Sequence, residues 1–163
     1  MEESLRKKKI YTATEAKRKA ESYCAYQERS QQEVRDKLYF WGLHTLEAEN
    51  IISYLIEENF LNEERFAKAY VLGKFRIKSW GRVKITQGLK LKQVSPPLIK
   101  IALKEINPND YFDKLVSILE KKSRLLKESD PYKRNNKLYQ YALSRGYENN
   151  LILEVLKNNE LES

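Results

Sequence analysis

The feature that most constrains the fold of this chain is a set of six apolar positions that occurs three times. Each member of the first set has an apolar or aromatic counterpart 51 and again 104 residues later. Because apolar residues spaced by three and four line one face of a helix, the sets predict a repeated helical unit. The three sets are Val34, Leu38, Leu43, Ala48, Ile51, Ile52; Ile85, Leu89, Val94, Ile99, Ala102, Leu103; and Leu138, Ala142, Tyr147, Ile152, Val155, Leu156.

Signals for helix ends occur between these sets. Polar side chains that accept hydrogen bonds from the first turn of a helix stand at regular intervals, several of them followed by Glu or Pro. The predicted caps are Thr12, Ser30, Asn62, Ser95, Asn107 and Asp130, with Thr45 and Ser79 as weaker candidates. Gly42 and Gly146 stand where glycines end helices. Helix starts and stops therefore follow the same repeat as the apolar positions.

Each repeat also opens with a further helix, as around Ala20 and Cys24 or Ala67 and Val71. We therefore predict an all-α fold of three tandem three-helix repeats that form an elongated, curved body. The predicted segments are a charged N-terminal tail (1–13), repeat 1 (14–60), the basic repeat 2 (61–106), repeat 3 (107–158) and a C-terminal tail (159–163).

One segment also fits a β-hairpin. In VKITQGLKL the apolar residues alternate with polar ones, and SWG before it resembles a turn. We favour a helix, because Ile85 and Leu89 fall on repeat positions that are predicted to be helical in the other two units.

Positive charge is concentrated in the middle of the chain. Residues 1–60 carry a net charge of −1, residues 61–106 of +8 and residues 107–163 of +1. The forty residues from Arg65 to Lys104 contain eleven Lys or Arg and not one Asp or Glu. Like charges at this density repel one another unless a partner offsets them. The pattern favours a surface that binds a polyanion over a solvated basic face without a ligand.

The residue types do not indicate an active site. His44 is the only histidine and has no Cys, Ser or paired acid at a motif spacing, so it is expected at a surface or between helices. Cys24, the only cysteine, lies on the apolar side of its predicted helix and is expected in the core. No phosphate-binding loop or zinc-ligand cluster occurs. We expect no enzymatic activity, no cofactor and no metal.

Location and aromatic content add two expectations. A single cysteine, no signal-peptide core and no apolar run of membrane-spanning length indicate a cytoplasmic protein that is not inserted in a membrane.

Among the aromatic residues of the basic block, Phe66 and Tyr70 have helical spacing and are interpreted mainly as core. Trp80 lies at a junction between helices, where interhelical packing and ligand contact are equally compatible with the sequence.

Three segments carry a resemblance to a known family: QERSQQEVRDKLYFWG, LIEENFLNEERFAKAYV and GRVKITQGLKLKQVS, in that order. The first holds Arg29-Ser30 before a helix, with Leu38 and Gly42 at its end. The second aligns the run from Asn59 to Ala67 with Gly-aromatic-Leu-Asp-Asp-x-Arg-Phe-Ala. The third has Gly81 before a basic and apolar helix. In these features the chain resembles the RecX family of bacterial recombination regulators.

The resemblance covers residues 14–105 well and the last third only through the repeat pattern. Asn59 replaces the usual Gly of the family and Asn62 the usual Asp. Both changes are compatible with the fold, because Asn can adopt left-handed backbone angles and can cap a helix.

The resemblance implies a function. RecX-like proteins are small all-helical modulators of the RecA recombinase, above all of its filament on single-stranded DNA, and act in DNA recombination, DNA repair and the SOS response. They lower its ATP hydrolysis, strand exchange and coprotease activity, and have no catalytic residues to carry over. The chain is accordingly expected to be a monomer that binds the recombinase filament.

We predict that repeat 2 faces the anionic filament. The predicted contact residues are Lys74, Arg76, Lys78, Trp80, Arg82, Lys84, Lys90 and Lys92. Arg65 is a weaker candidate, since it follows two acids at a helix start and is expected to pair locally. Two other functions are compatible with the same residues: a DNA- or RNA-binding module that acts through the basic repeat, and an adaptor for an unrelated acidic protein.

Overall fold

The structure, a computed structural model, describes residues 10–158. These residues form nine α-helices and no strand, which confirms the all-α prediction and places VKITQGLKL in a helix. Residues 1–9 and 159–163, which make up most of the two predicted tails, lie outside the described part. The helices are α1 (Ala13–Tyr26), α2 (Gln31–Phe40), α3 (Thr45–Glu57), α4 (Glu63–Lys78), α5 (Arg82–Leu91), α6 (Pro96–Leu103), α7 (Pro108–Leu125), α8 (Pro131–Ser144) and α9 (Asn149–Lys157).

Several helices begin at the predicted capping residues. The amide of Glu33 donates to Ser30 Oγ at 3.0 Å, and the amide of Ser30 donates to Glu33 Oε2 at 3.2 Å, which completes a capping box before α2. Side chains of Thr12, Asn107 and Asp130 likewise accept hydrogen bonds from the first turns of α1, α7 and α8. These start signals are confirmed.

One predicted cap, Ser95, and the two weaker candidates, Thr45 and Ser79, need correction. Thr45 is the first residue of α3, and His44, whose side chain makes no capping bond, precedes it. Ser95 does precede α6, but its side chain makes no capping bond. Ser79 lies before α5 but has a left-handed backbone, with φ of 57°, because it reverses the chain at the end of α4.

The three apolar sets form the cores of the repeats. Sixteen of their eighteen members are buried, while Leu103 and Leu156 are half-buried. The shift of 51 residues also holds for the first helix of a repeat, since buried residues of α1 correspond to buried residues of α4. These pairs are Ala16 and Ala67, Ala20 and Val71, and Cys24 and Phe75. Three tandem three-helix repeats are therefore confirmed.

Cys24 is part of the core, as expected. It is buried together with Ala16 and Ala20 of α1, and it has no disulfide partner. Burial raises the pKa of the Cys24 thiol to about 11, because the apolar surroundings disfavour the thiolate. This cysteine is a packing residue rather than a reactive group.

The structure consists of two compact units. The first comprises residues up to Ala67 together with Lys92–Val94, and the second comprises Lys68–Leu91 and the residues from Ser95 onward. In the first unit α1, α2 and α3 pack on one another; in the second, α5 packs on α6, and α7, α8 and α9 form one group. No helix within residues 10–158 is long and apolar enough to cross a lipid bilayer.

Candidate functional site

The predicted contact residues of the second unit lie around the junction between α4 and α5, except Lys90, which lies at the far end of α5. At the end of α4, the amide of Ser79 donates to the carbonyl of Phe75 at 3.1 Å, and the amide of Trp80 donates to the carbonyl of Lys74, also at 3.1 Å. The left-handed Ser79 makes this reversal possible. As a result Trp80 lies beside the last two turns of α4 rather than beyond them.

Trp80 is half-buried and has two ammonium groups next to its ring. The Nζ atoms of Lys74 and Lys84 lie 4.8 and 4.7 Å from the ring centroid. Both distances are within the range of a cation–π interaction. A ring beside two cations can stack on a nucleobase through a free face while the ammonium groups attract phosphate. The structure therefore brings Trp80, Lys74 and Lys84 together.

Arg76, Lys78 and Lys90 are exposed. Arg76 and Lys78 occupy the last turn of α4, and Lys90 occupies the last turn of α5. Cations at a helix C-terminus interact favourably with the helix dipole, so all three stabilise their helices whether or not a ligand binds. Their exposure also leaves them accessible to an anionic partner.

Arg82 differs from these residues, because it is held inside the second unit. Its Nη1 atom donates to Glu148 Oε2 at 2.7 Å, and its guanidinium lies 3.9 Å above the ring of Tyr111. The hydroxyl of buried Tyr111 donates to the other carboxylate oxygen of Glu148 and accepts from the amide of Arg82 at 3.0 Å. Burial is the main cause that raises the pKa of Tyr111 far above its ordinary value, and the hydrogen bond to Glu148 is the second cause.

The amides at the N-terminus of α5 donate to the Tyr111 hydroxyl and to two main-chain carbonyls between α8 and α9. The amide of Gly81 donates to the carbonyl of Arg145 at 2.8 Å, and the amide of Val83 donates to the carbonyl of Gly146 at 2.9 Å. A Cβ atom added to Gly81 would come within 2.3 Å of the Gly146 oxygen. Only glycine allows the two backbones to approach this closely.

Lys92 and Arg65 form ion pairs within the first unit. Lys92 Nζ lies 2.9 Å from Glu33 Oε1, and Arg65 Nε donates to Glu28 Oε1. Arg65 thus pairs within the protein, but the expectation of a local pair is corrected, because the partner is Glu28, 37 residues away, rather than one of the two acids beside it. Arg82 and Lys92 already share their charge with a carboxylate, so each has less charge to offer a ligand than the exposed cations.

The start of α4 bears out two expectations about asparagine. Asn59 has a left-handed backbone, with φ of 63°. The side-chain oxygen of Asn62 accepts from the amide of Arg65 at 2.8 Å and so caps the helix.

His44 is exposed, as expected. Residues 10–158 contain no group of three or more His, Cys, Asp or Glu side chains that could hold a metal ion.

Comparison with known families identifies the chain. Models of the first, second and third three-helix domains of RecX match residues 16–55, 62–103 and 109–156. The chain belongs to the RecX family. All three domains of that family are therefore represented here, including the last third, for which the sequence resemblance was only a repeat pattern.

Relatives and solved structures agree with this RecX assignment. The chain is 38% identical to Regulatory protein RecX of Clostridium perfringens strain 13 over 137 residues, which are 81% of this chain and 64% of that relative. It is 32% identical to Regulatory protein RecX of Clostridium acetobutylicum over 87% of this chain and 67% of the relative. The chain thus spans about two thirds of the length of these relatives.

A crystal structure of RecX from Lactobacillus salivarius has the same fold. It superposes with a TM-score of 0.82 over 91% of this chain and 96% of that chain, at 24% sequence identity. A second crystal structure of regulatory protein RecX has a TM-score of 0.81 at 20% identity. At these identities the likeness concerns the fold, while the family models establish the relationship.

Proposed function

We propose that this chain is a non-enzymatic regulator that binds the RecA recombinase on single-stranded DNA and lowers its ATP hydrolysis, strand exchange and coprotease activity. The observation that carries the proposal is the match of all three RecX domains, together with relatives named regulatory proteins. In this proposal the protein acts as a monomer in the cytoplasm.

The charge of the second repeat supports an anionic partner. Lys74 and Lys84 lie next to Trp80, and Arg76, Lys78 and Lys90 are exposed. Lys and Arg side chains that contact phosphates release condensed counterions, which is the main source of affinity for nucleic acid. We propose that these six residues make the principal contacts with the filament. Arg82 and Lys92 belong to the same predicted surface but contribute less, because Glu148 and Glu33 partly neutralise them.

A second candidate function is direct binding of DNA or RNA through the same repeat. The observation that favours it is the Trp80 ring with two ammonium groups close to it, since sites for single strands combine aromatic rings that stack bases with cations that bind phosphate. A filament regulator prefers the assembled filament over either component, whereas a nucleic-acid module binds bare strands equally well.

The deciding experiment is a titration of this protein into the cognate recombinase while its single-stranded-DNA-dependent ATP hydrolysis is measured. We expect the rate to fall at amounts of protein well below the amount of recombinase, because a regulator of filament growth needs few binding sites. An unchanged rate contradicts the proposal. Loss of the rate only when the protein has coated all the DNA supports the nucleic-acid module instead.

Charge-reversal variants locate the contact surface. The variant Arg76→Glu, Lys78→Glu, Lys90→Glu changes three exposed residues, whereas reversal of Arg82 would place a second carboxylate beside Glu148. The matched control is Lys121→Glu, Arg124→Glu, Lys133→Glu, which changes three exposed cations of the third repeat. We expect inhibition to be lost in the first variant and largely kept in the control. Equal inhibition by both folded variants would exclude the second repeat as the main contact.

A further inference from the structure

The first repeat contains a cleft where α1 and the start and end of α2 meet. It is largely open to solvent, has a volume of about 550 Å³, and its lining consists of cations, aromatic rings and one serine. The lining residues are Arg18, Lys19, Ser22, Tyr23, Tyr26, Arg29, Lys37 and Trp41. Within the part of the chain that the structure describes, no carboxylate lines this cleft. The net charge of −1 for residues 1–60 therefore conceals a local concentration of positive charge.

The floor of the cleft is held in place by its own contacts. The guanidinium of Arg29 lies 3.7 Å from the centroid of the Tyr23 ring, and Arg29 Nε donates to the Tyr23 carbonyl at 3.0 Å. Lys37 Nζ lies 5.7 Å from the same ring, and Trp41 contacts it edge-on with centroids 6.5 Å apart. Rings and cations therefore have fixed relative positions before any ligand binds, which lowers the entropic cost of binding.

The rim of the cleft is accessible. Arg18 and Lys19 are exposed, and Tyr26, at the last position of α1, is 83% exposed. A side chain this exposed contributes little to the core, so packing does not account for an aromatic residue at this position. Its ring offers a surface on which a planar group can stack.

Two acids that adjoin the cleft have partners of their own. Glu33 and Asp36 line a smaller adjoining hollow, which they share with Tyr23 and Lys37. Glu33 pairs with Lys92 and accepts from the amide of Ser30, while Asp36 accepts from the side-chain amide of Gln32 at 2.9 Å. These carboxylates therefore lie at one border of the cationic lining, and the lining of the cleft itself has no negative charge.

The repeat relationship provides a second, independent observation. With the shift of 51 residues, Tyr23 corresponds to Lys74 and Arg29 corresponds to Trp80. In each repeat these two positions hold one aromatic ring and one cation in contact. The ring is at the first position in the first repeat (Tyr23) and at the second position in the second repeat (Trp80). Core packing alone would not require a charged group and a ring together at the same place in two repeats. The site around Trp80 thus has a counterpart in the first repeat.

We propose that this cleft is a second binding site for single-stranded nucleic acid. Bases stack on Tyr26 and Trp41, and phosphates contact Arg18 and Lys19 at the rim. A single strand is the ligand that matches both halves of the lining, since a duplex hides the faces of its bases and an acidic peptide makes no use of exposed rings. The proposal does not depend on the recombinase, because the cleft is expected to bind a bare strand.

Tryptophan fluorescence can test the cleft separately from the second repeat. The chain has two tryptophans, of which Trp41 lines the cleft and Trp80 lies in the second repeat. In the variant Trp80→Phe, only Trp41 reports. We expect a short oligothymidylate to quench Trp41 and inorganic polyphosphate to leave its emission almost unchanged, because only the oligonucleotide stacks. Absence of quenching by oligothymidylate, or equal quenching by both, would overturn the proposal.

A cleft variant in the Trp80→Phe protein measures the affinity of the cleft itself, because quenching of Trp41 is the readout. In this protein the change Arg18→Ala, Lys19→Ala, Tyr26→Ala is expected to weaken oligothymidylate binding at the cleft at least about tenfold, since a base stack and two phosphate contacts are lost. The slope of log affinity against log salt should fall by about 1.4, or ~0.7 for each cation. The control Arg124→Ala, Lys133→Ala, Tyr132→Ala removes the same residue types from the third repeat, where Tyr132 is also 83% exposed.

The outcomes distinguish this proposal from the function proposed above. Wild-type affinity in a folded cleft variant, or an equal loss in the third-repeat control, would overturn the proposal even if inhibition of the recombinase were intact. Conversely, quenching of Trp41 together with weaker binding by the cleft variant would support the cleft even if the recombinase were unaffected.

Discussion

Gln93 occupies a backbone position that the other two repeats give to glycine. Gly42 and Gly146, at the equivalent positions after α2 and α8, both have φ of 93°, and Gln93 after α5 has φ of 59°. A left-handed backbone costs an ordinary residue energy because its Cβ approaches the carbonyl oxygen. The second repeat therefore carries local strain that the other two repeats avoid.

We expect the substitution Gln93→Gly to raise the free energy of unfolding by about 0.5–1 kcal/mol. The relief of the left-handed strain exceeds the extra entropy that glycine loses on folding. Gln93 is exposed, so the change removes little packing. Denaturant unfolding of both proteins measures the difference.

The reverse substitution at the equivalent position of the first repeat is the control. Gly42→Ala should lower the free energy of unfolding by about 1 kcal/mol, because it introduces a side chain where φ is positive. A Gln93→Gly protein that is less stable than wild type would show that the glutamine side chain stabilises the structure.

At the residue scale the sequence predicted what local chemistry determines. The left-handed Asn59 and the caps at Ser30 and Asn62 follow from the residue types themselves. Gln93 was not predicted, because glutamine does not ordinarily indicate a left-handed backbone. Only the repeat register, which aligns it with Gly42 and Gly146, could have revealed its conformation.

At the scale of elements, α5 has the most distinctive environment. Three successive amides at its start, from Gly81 to Val83, donate to two carbonyls between α8 and α9 and to the hydroxyl of Tyr111. The first amides of a helix have no partner inside it, so these contacts replace the missing cap. The same region brings Arg82 to Glu148 and the hydroxyl of Tyr147 to the carbonyl of Ser79.

Substitution of Gly81 by alanine is expected to lower the free energy of unfolding by roughly 1–3 kcal/mol. The added methyl group would lie 2.3 Å from a main-chain oxygen, and neither backbone can move without breaking hydrogen bonds. Thermal or denaturant unfolding, followed by circular dichroism, measures the loss.

Gly73 offers a matched control within α4. A Cβ added there meets no atom within 4 Å, and the residue lies in a helix interior. Gly73→Ala should therefore raise the free energy of unfolding by about 1 kcal/mol, because alanine has the higher helix propensity. If the two alanine variants changed stability in the same direction, steric contact at Gly81 would not be the reason for its glycine.

The elements themselves could be predicted because their signals are local. Apolar spacing and capping residues predicted the helices, and the repeat register decided correctly between a helix and a hairpin for VKITQGLKL. The start of α5 could not be predicted, since its partners are distant in the sequence: two main-chain carbonyls more than sixty residues away and the side-chain hydroxyl of Tyr111. Thr45 was wrongly predicted to cap α3, because a threonine hydroxyl is suited to the capping position. In the structure Thr45 is instead the first residue of the helix.

At the scale of the whole molecule, the net charge overstates the positive charge that can bind an anionic partner. The chain has a net charge of +8, and all of that excess is carried by residues 61–106. Two of the predicted contact cations, Arg82 and Lys92, have carboxylate partners within the protein. The effective number of contacts with an anionic partner should therefore be smaller than the sequence count suggests.

We expect the salt dependence of oligonucleotide binding to reveal this difference. The variant Lys78→Gln, Lys90→Gln removes two exposed cations and should reduce the slope of log affinity against log salt by about 1.4. The variant Arg82→Gln, Lys92→Gln has the same net charge but should change the slope by less than half as much. Fluorescence anisotropy at several salt concentrations gives both slopes. Equal reductions would mean that the ion pairs open when the ligand binds.

The sequence predicted the basic second repeat because its charge does not cancel along the chain. It did not predict the cleft of the first repeat, since acids such as Glu21 and Glu33 cancel the cations in any sum over residues 1–60. In the fold those acids have other neighbours, Tyr54 and Lys92 among them. Folding thus separates charges that are adjacent in the sequence.

The main-chain contacts at the start of α5 decide how the protein can be dissected. A fragment that ends at Ile106 would keep all of α4, α5 and α6 but lose every acceptor that Gly81, Arg82 and Val83 use. Three amides and the guanidinium of Arg82 would then face water in place of their partners. We therefore expect a fragment that keeps the native start of α5 beside Trp80 to extend at least through Glu148, even though the family model of its own domain ends at residue 103.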